Sequence, residues 1–382
     1  MNNRYVELDS LRGLAAISVF LSHMYLIFQE TLVSKLIFKF GFLRAFIAGT
    51  EAVMLFFILS GFVLSIPFYT KRPFDYGTYV IRRFSRIYIP YIVAIAGAYL
   101  LRELFYSGQV DGLTDFFNVI WSNNMNVDAL INHIILIGTF TSNINSVVWS
   151  LVHEMRISLV FPFIMFFLVR YNWKASLAFA FLLSGISVVY SYITNAEFDG
   201  TEVYSTFHYT SLFILGALLA KYREELVNRL TVLSRRKKVI LFITGIVLYL
   251  YLHPSFVLNV IIDDMKPYYR TVIDSWFISL GASILIMFAL LPNRFSNILK
   301  KGFLGFLGKI SYSLYLTHLT VLMSMVHLLH GIIPLWLICL LTIVVTILVS
   351  SLMYYFVERR AINLSNSFKK SNMKKDVIQS KV

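Results

Sequence analysis

Long apolar runs recur along almost the whole chain, and they constrain its fold more than any other feature. Ten of them reach or approach the roughly 20 residues that an α-helix needs to cross a bilayer core of about 30 Å. The runs are 11–31, 50–70, 87–107, 148–170, 174–194, 205–222, 238–253, 271–291, 304–327 and 334–357. The sequence therefore predicts an all-α, polytopic integral membrane protein with about ten transmembrane helices.

Composition agrees with a chain whose surroundings are largely lipid. Of its 382 residues, 58% are hydrophobic and 14% are charged, whereas a soluble domain has about 45–50% apolar and about 25% charged residues. The single cysteine, Cys339, excludes an intrachain disulfide and a cysteine-cluster metal site. We expect no metal and no permanently bound cofactor.

The formal charge of +14 is unevenly distributed between the segments that connect the runs. Lysine and arginine concentrate in alternate segments, and 108–147 and 195–204 contain neither. Positive residues mark the cytoplasmic side of a membrane, so both termini are predicted to be cytoplasmic, and nucleic-acid binding is not expected. Residues 1–362 form one predicted membrane domain, and 363–382 a basic tail predicted to be disordered. Segment 128–140 is too short to span and is predicted to be re-entrant or interfacial.

The first run carries two ionisable residues, Arg12 and His23, into the bilayer. Such groups cost a few kcal/mol in lipid and are functional candidates for that reason. His23 follows Arg12 by eleven positions, which is about 16 Å of rise and roughly three full turns, so both lie on one helix face. The alternative is that Arg12 extends to the interface and His23 bonds a backbone carbonyl. For the pair we favour a functional role.

The fourth run contains Glu154 and Arg156. Glu154 and His23 are predicted at similar depths from the outer surface, where a carboxylate could orient an imidazole that acts as general base. The alternative is a structural Glu154–Arg156 cluster, although residues two apart on a helix face different directions.

Two further segments carry polar groups. The run YVIRRFSRIYIPY (79–91) places Arg82 and Arg86 on one helix face with Arg83 beside it, which suits phosphate groups but also ordinary positive-inside anchoring. In 307–319, Ser311, Tyr315 and His318 fall on one face, directed into a helix bundle. Hydrogen bonds between helices would account for Ser311 and Tyr315, and the role of His318 stays open.

Together these segments resemble the acyltransferase family 3 membrane proteins, which include O-acetyltransferases of bacterial surface polysaccharides. The resemblance covers residues 7–360, and its five motifs stand in the family's order. They are LDSLRGLAAISVFLSH (8–23), FFILSGFVLS (56–65), YVIRRFSRIYIPY (79–91), WSLVHEM (149–155) and LGKISYSLYLTH (307–318). The fourth motif departs from the family's commoner acidic pair because His153 precedes Glu154.

The resemblance implies transfer of an acyl group, by default acetyl, from cytoplasmic acyl-CoA to a hydroxyl at the outer face of a bacterial plasma (inner) membrane. The acceptor would be a cell-surface glycan, such as lipopolysaccharide or another polysaccharide, or a lipid-linked sugar. His23 is the expected general base, and a covalent acyl-His or acyl-Tyr relay stays open.

The remaining site residues follow from the same resemblance. Arg12 and Glu154 join His23 as expected catalytic residues, and Arg82, Arg83 and Arg86 are expected to hold the CoA phosphates. Further candidates are Ser60, Trp149, His153, Tyr315 and His318. A transporter of a glycolipid or small solute would share the buried charges and is the main alternative, although no internal repeat is apparent.

Overall fold

Helices make up all the regular structure in the part of the chain that the structure describes. The structure is a computed structural model, and it describes residues 5–70, 74–122, 127–138, 144–195, 198, 200–262 and 265–364. The α-helices are α1 (Val6–Leu26), α2 (Leu32–Ser34), α3 (Gly49–Tyr69), α4 (Tyr76–Phe105), α5 (Asp115–Val119), α6 (Val127–Ile135), α7 (Trp149–Arg170), α8 (Trp173–Thr194), α9 (Val203–Thr231), α10 (Arg235–Leu250), α11 (Pro254–Ile261), α12 (Pro267–Leu290), α13 (Arg294–Leu299), α14 (Gly302–Leu329) and α15 (Leu335–Met353). Short 3₁₀ helices lie at Phe42–Phe46 and Ser146–Val148, and π-helical segments at Lys35–Lys39 and Tyr354–Glu358.

Among the described residues, eight helices are long and apolar enough to cross a membrane. A ninth candidate is the pair α10 and α11, which is bent by 53°. The first predicted span is also a helix, α1, but Glu7, Asp9, Arg12 and His23 make it more polar than the other eight. The prediction of a helical polytopic membrane protein is confirmed, while the count of ten and the cytoplasmic termini stay predictions.

Two predicted segments fall partly outside the described residues. The short segment predicted at 128–140 contains α6, a helix of nine residues, and 139–140 lie outside the description. The helix that precedes the predicted tail continues to Leu364. The tail from 365 onward lies outside the described residues.

The chain divides into two compact units, each built from two stretches of sequence. Unit 1 comprises Met1–Lys71 and Phe163–Ser311, and unit 2 comprises Arg72–Pro162 and Tyr312–Val382. Helices α7 and α14 contribute residues to both.

Small residues bring the helices of unit 1 into backbone contact. A Cβ at Gly61 of α3 would lie 2.1 Å from the carbonyl oxygen of Phe213, and a Cβ at Gly216 of α9 would lie 2.0 Å from that of Ile58. Any larger residue would push α3 and α9 apart. In the same way, a Cβ at Gly13 of α1 would lie 2.6 Å from the backbone nitrogen of Gly308. Close approach through small residues is the usual way that membrane helices gain packing energy, because lipid supplies no hydrophobic drive between them.

Polar side chains that bond backbone groups hold unit 2 together. The Tyr312 hydroxyl on α14 donates to the carbonyl of Ile87 on α4 at 2.7 Å. The Asn145 amide donates to the carbonyl of Leu316 at 2.9 Å and is buried. These bonds bring α4, α14 and the start of α7 together, and unit 2 therefore holds two of the sequence motifs and the second part of a third.

Candidate functional site

Helix α1 carries Arg12 and His23, and its continuous run from Val6 to Leu26 puts both on one face, as predicted. The Nδ1 atom of His23 lies 2.9 Å from the carbonyl oxygen of Val19, one turn earlier. A carbonyl oxygen can only accept a hydrogen bond, so Nδ1 carries the proton and Nε2 of the neutral ring carries the lone pair. The bond to a backbone carbonyl was the structural alternative for His23. It is present, and it also leaves Nε2 as the basic nitrogen.

A buried hydrogen bond fixes α1 near Arg12. Ser10 is fully buried and its hydroxyl donates to the carbonyl of Leu299 at 2.6 Å. Arg12 and His23 are each partly buried. Ser60, a further candidate in unit 1, is buried on α3.

The Arg83 side chain on α4 is bound to α7. Its Nη2 donates to Oε1 of Glu154 at 2.9 Å and to the Ser158 hydroxyl at 2.9 Å, and its Nε donates to the same hydroxyl at 3.2 Å. The Tyr79 hydroxyl donates to the carbonyl of Ser158 at 2.9 Å. Glu154 and Arg83 thus form a hydrogen-bonded ion pair whose side chains are 20% and 11% exposed.

The three predicted phosphate-binding arginines therefore differ in their surroundings. Arg82 and Arg86 are exposed, whereas Arg83 is engaged with Glu154 and Ser158. The reason is helix geometry, because Arg82 and Arg86 are one turn apart and Arg83 is displaced by about 100° toward α7.

Arg156 of α7 bonds backbone groups that follow α6. Its guanidinium donates to the carbonyl of Ile137 at 3.0 Å and to that of Gly138 at 2.7 Å. The alternative of a structural Glu154–Arg156 cluster stays open. The predicted bond between Glu154 and His23 stays a prediction.

Four of the additional candidates meet where α7 begins. The Tyr315 hydroxyl donates to the carbonyl of Val147 at 2.9 Å and lies 2.7 Å from the Ser150 hydroxyl. The rings of Trp149 and His153 are 6.1 Å apart, edge to face, and His153 is fully buried. His318 is also fully buried, and its ring centre is 5.9 Å from that of Tyr315.

The predicted face of α14 is confirmed only in part. Tyr315 makes the expected bonds to another helix, but the Ser311 hydroxyl donates to Gly308 of its own helix at 3.0 Å. The Nδ1 of His318 likewise bonds the carbonyl of Leu314 at 3.0 Å, so its Nε2 carries the lone pair of the neutral ring.

Sequence reasoning missed several residues that complete this arrangement. Ser158 and Tyr79 lie one turn from Glu154 and Arg83, so spacing alone could have revealed them. Glu358 is a buried acid in an apolar helix and was a detectable signal. Among the described residues, no group of His, Cys, Asp or Glu side chains is placed to hold a metal.

The motifs, their helices and their contacts agree with one comparison. A family model described as an acyltransferase domain matches residues 5–355 of the chain. The chain belongs to acyltransferase family 3. It is a membrane acyltransferase, and the resemblance stated from its five motifs is confirmed. A search of curated proteins and a search of solved structures each found no match.

Proposed function

We propose that this family 3 acyltransferase moves an acyl group, by default acetyl, from cytoplasmic acyl-CoA to a hydroxyl of a surface glycan or lipid-linked sugar. The membrane would be the bacterial inner membrane, with the acceptor at its outer face. The observation that carries the proposal is the state of His23. Its Nδ1 proton is held by Val19, so Nε2 is the nitrogen that can take a proton.

In the proposed reaction, Nε2 of His23 accepts the proton of the acceptor hydroxyl as its oxygen attacks the thioester carbonyl. The new C–O bond forms, the C–S bond breaks, and CoA leaves as a thiolate that takes the proton back from His23. Protons and charge balance without a further reactant. Arg12 lies on the same face of α1 as His23. In this proposal it supplies positive charge on the side from which acyl-CoA enters.

The arginines of α4 divide their tasks in this proposal. Arg82 and Arg86 are exposed and offer paired N–H donors to the CoA phosphates. Arg83 holds Glu154 in place through the bonds described above. The predicted role of Glu154, to orient the imidazole of His23, stays a prediction.

The direct test is acyl transfer by purified protein with labelled acetyl-CoA, comparing the wild type with His23→Ala. Loss of a general base lowers the rate by about 10²–10⁴-fold. His330→Ala is the matched control, because His330 is an exposed histidine outside the proposed site. Full transfer by correctly folded His23→Ala would refute the role of His23.

A second measurement addresses the acceptor and the transporter alternative together. Glycans from cells with and without the gene are compared by mass spectrometry. We expect the glycans to carry an acetyl group when the gene is present and to lack it when the gene is absent. A transporter would leave the wild type unable to consume acetyl-CoA in detergent, and this outcome would overturn the proposed activity.

A further inference from the structure

Glu358 is a buried acid at the end of the π-helical segment Tyr354–Glu358, which continues α15. Only 4% of the residue is exposed. Removing a carboxylate from water costs several kcal/mol unless partners compensate for it. Partners that compensate for this cost are therefore expected around Glu358.

One partner is a hydroxyl of α14. Ser313 is fully buried, and its Oγ donates to Oε2 of Glu358 at 2.7 Å. The adjacent residue, Tyr312, donates to the carbonyl of Ile87, the residue that follows Arg86. Glu358 is therefore anchored beside the part of α4 that carries Arg86.

The other partner is the charge of Arg86. Helix α4 packs against the Tyr354–Glu358 segment, and the positive charge of Arg86 acts on the carboxylate of Glu358. The acid is buried while the arginine is exposed. An exposed arginine thus lies on the helix that packs against the segment holding the buried acid.

Such an arrangement prepares an arginine for an anionic ligand. A long side chain held in one place loses less entropy when it binds, and its remaining N–H groups still match the paired oxygens of a phosphate. A π-helical turn inside an α-helix is frequently found at functional sites. Here the π-helical turn ends at Glu358 itself.

We propose that Glu358, together with Ser313, is a positioning residue that fixes Arg86 for a phosphate group of the acyl-CoA donor. The proposal rests on the proposed function, because it needs acyl-CoA as the donor. It extends that function by adding a residue on a different helix, far along the chain from the arginine motif.

The test is steady-state kinetics with acetyl-CoA on Glu358→Gln, Arg86→Ala and the double variant. We expect each single variant to raise KM for acetyl-CoA by about five- to tenfold while kcat stays within about twofold of the wild type. The double variant should match Arg86→Ala alone, because Glu358 acts only through Arg86. Glu358→Asp, which keeps the charge, should restore part of the affinity.

Two controls separate positioning from a merely structural role. Arg82→Ala removes the neighbouring exposed arginine, and Glu358→Gln should raise KM in that background as much as in the wild type. Ser313→Ala keeps the carboxylate of Glu358 and removes the hydroxyl that donates to it. This variant replaces Glu358→Gln in the test if Glu358→Gln fails to fold. It should raise KM for acetyl-CoA by less than Glu358→Gln does.

The failures are distinguishable. Additive effects of Glu358→Gln and Arg86→Ala, or an unchanged KM in Glu358→Gln, would overturn the positioning role while leaving acyl transfer intact. If Glu358→Gln does not fold, an unchanged KM in Ser313→Ala would overturn it in the same way. A wild type that does not use acetyl-CoA at all would instead overturn the proposed function, and this inference with it.

Discussion

Two arginine–glutamate pairs, one in each unit, have the same residue types but differ in their surroundings. In unit 1, Arg44 pairs with Glu51, whose side chain is 2% exposed. In unit 2, Arg83 pairs with Glu154, whose side chain is 20% exposed. Only the second pair lies within the sequence motifs of the family.

The unit 1 pair is closed by further protein groups. Nε2 of His253 lies 3.2 Å from Glu51, and its Nδ1 lies 3.6 Å from Asp274. Asp274 in turn accepts bonds from the backbone nitrogen and the hydroxyl of Ser255, at 2.9 and 2.6 Å. This cluster joins α3, α11, α12 and the 3₁₀ helix Phe42–Phe46 that precedes α3. An ion pair that is enclosed by other protein groups stabilises the fold. A partly exposed pair among motif residues is a candidate for a role in catalysis.

The largest effect that would test this comparison is expected from Glu51→Ala. Removing one partner of a buried pair leaves an uncompensated charge and costs about 3–5 kcal/mol. The free energy of unfolding in detergent should fall by that amount. Glu225→Ala is the control, because Glu225 is half exposed in a surface pair with Arg229 and should change little. A Glu51→Ala protein as stable as the wild type would break the comparison.

The next largest effect is expected at the Arg83–Glu154 pair, in the rate of acyl transfer rather than in the free energy of unfolding. Glu154→Gln should lower the acyl-transfer rate by about 10²-fold. Its unfolding free energy should fall less than that of Glu51→Ala, since its side chain is less buried. Glu103→Gln, a half-exposed acid in the same unit, is the control. An unchanged rate in Glu154→Gln would remove Glu154 from the site.

The smallest effect is expected at a second enclosed polar cluster in unit 1, which surrounds the fully buried His208. The Ser275 hydroxyl donates to Val272 at 2.9 Å, so it must accept from Nε2 of His208 at 2.6 Å. Nδ1 then accepts from the Ser184 hydroxyl at 2.8 Å. A neutral ring satisfies every bond.

His208→Ala should therefore lower the unfolding free energy by about 1–3 kcal/mol, because it removes the two buried hydrogen bonds of the ring. The transfer rate per folded molecule should stay within about twofold of the wild type. His23→Ala should show the reverse, with a large loss of rate and little loss of stability. A His208→Ala protein that is stable but inactive would mean that an enclosed polar cluster can serve catalysis.

Much of the candidate site could be read from the sequence because its signals are local. Apolar run length predicted the helices, and spacing placed Arg12 and His23 on one face. The same spacing placed Arg82 and Arg86 together, but it gave no reason to separate Arg83 from them in role. That separation depends on α7, whose Glu154 lies far along the chain from Arg83.

The sequence alone determined that this protein is helical and lies in a membrane, and its motifs identified the acyltransferase family. Hydropathy and helical period are properties of neighbouring residues, so no tertiary structure is needed to read them. Only the tertiary structure decided that Arg83 binds Glu154, that Arg44 binds Glu51, and that Ser313 binds Glu358. The physical reason is that an ion pair forms between whichever helices pack together, and that packing is set by contacts between residues far apart in the chain.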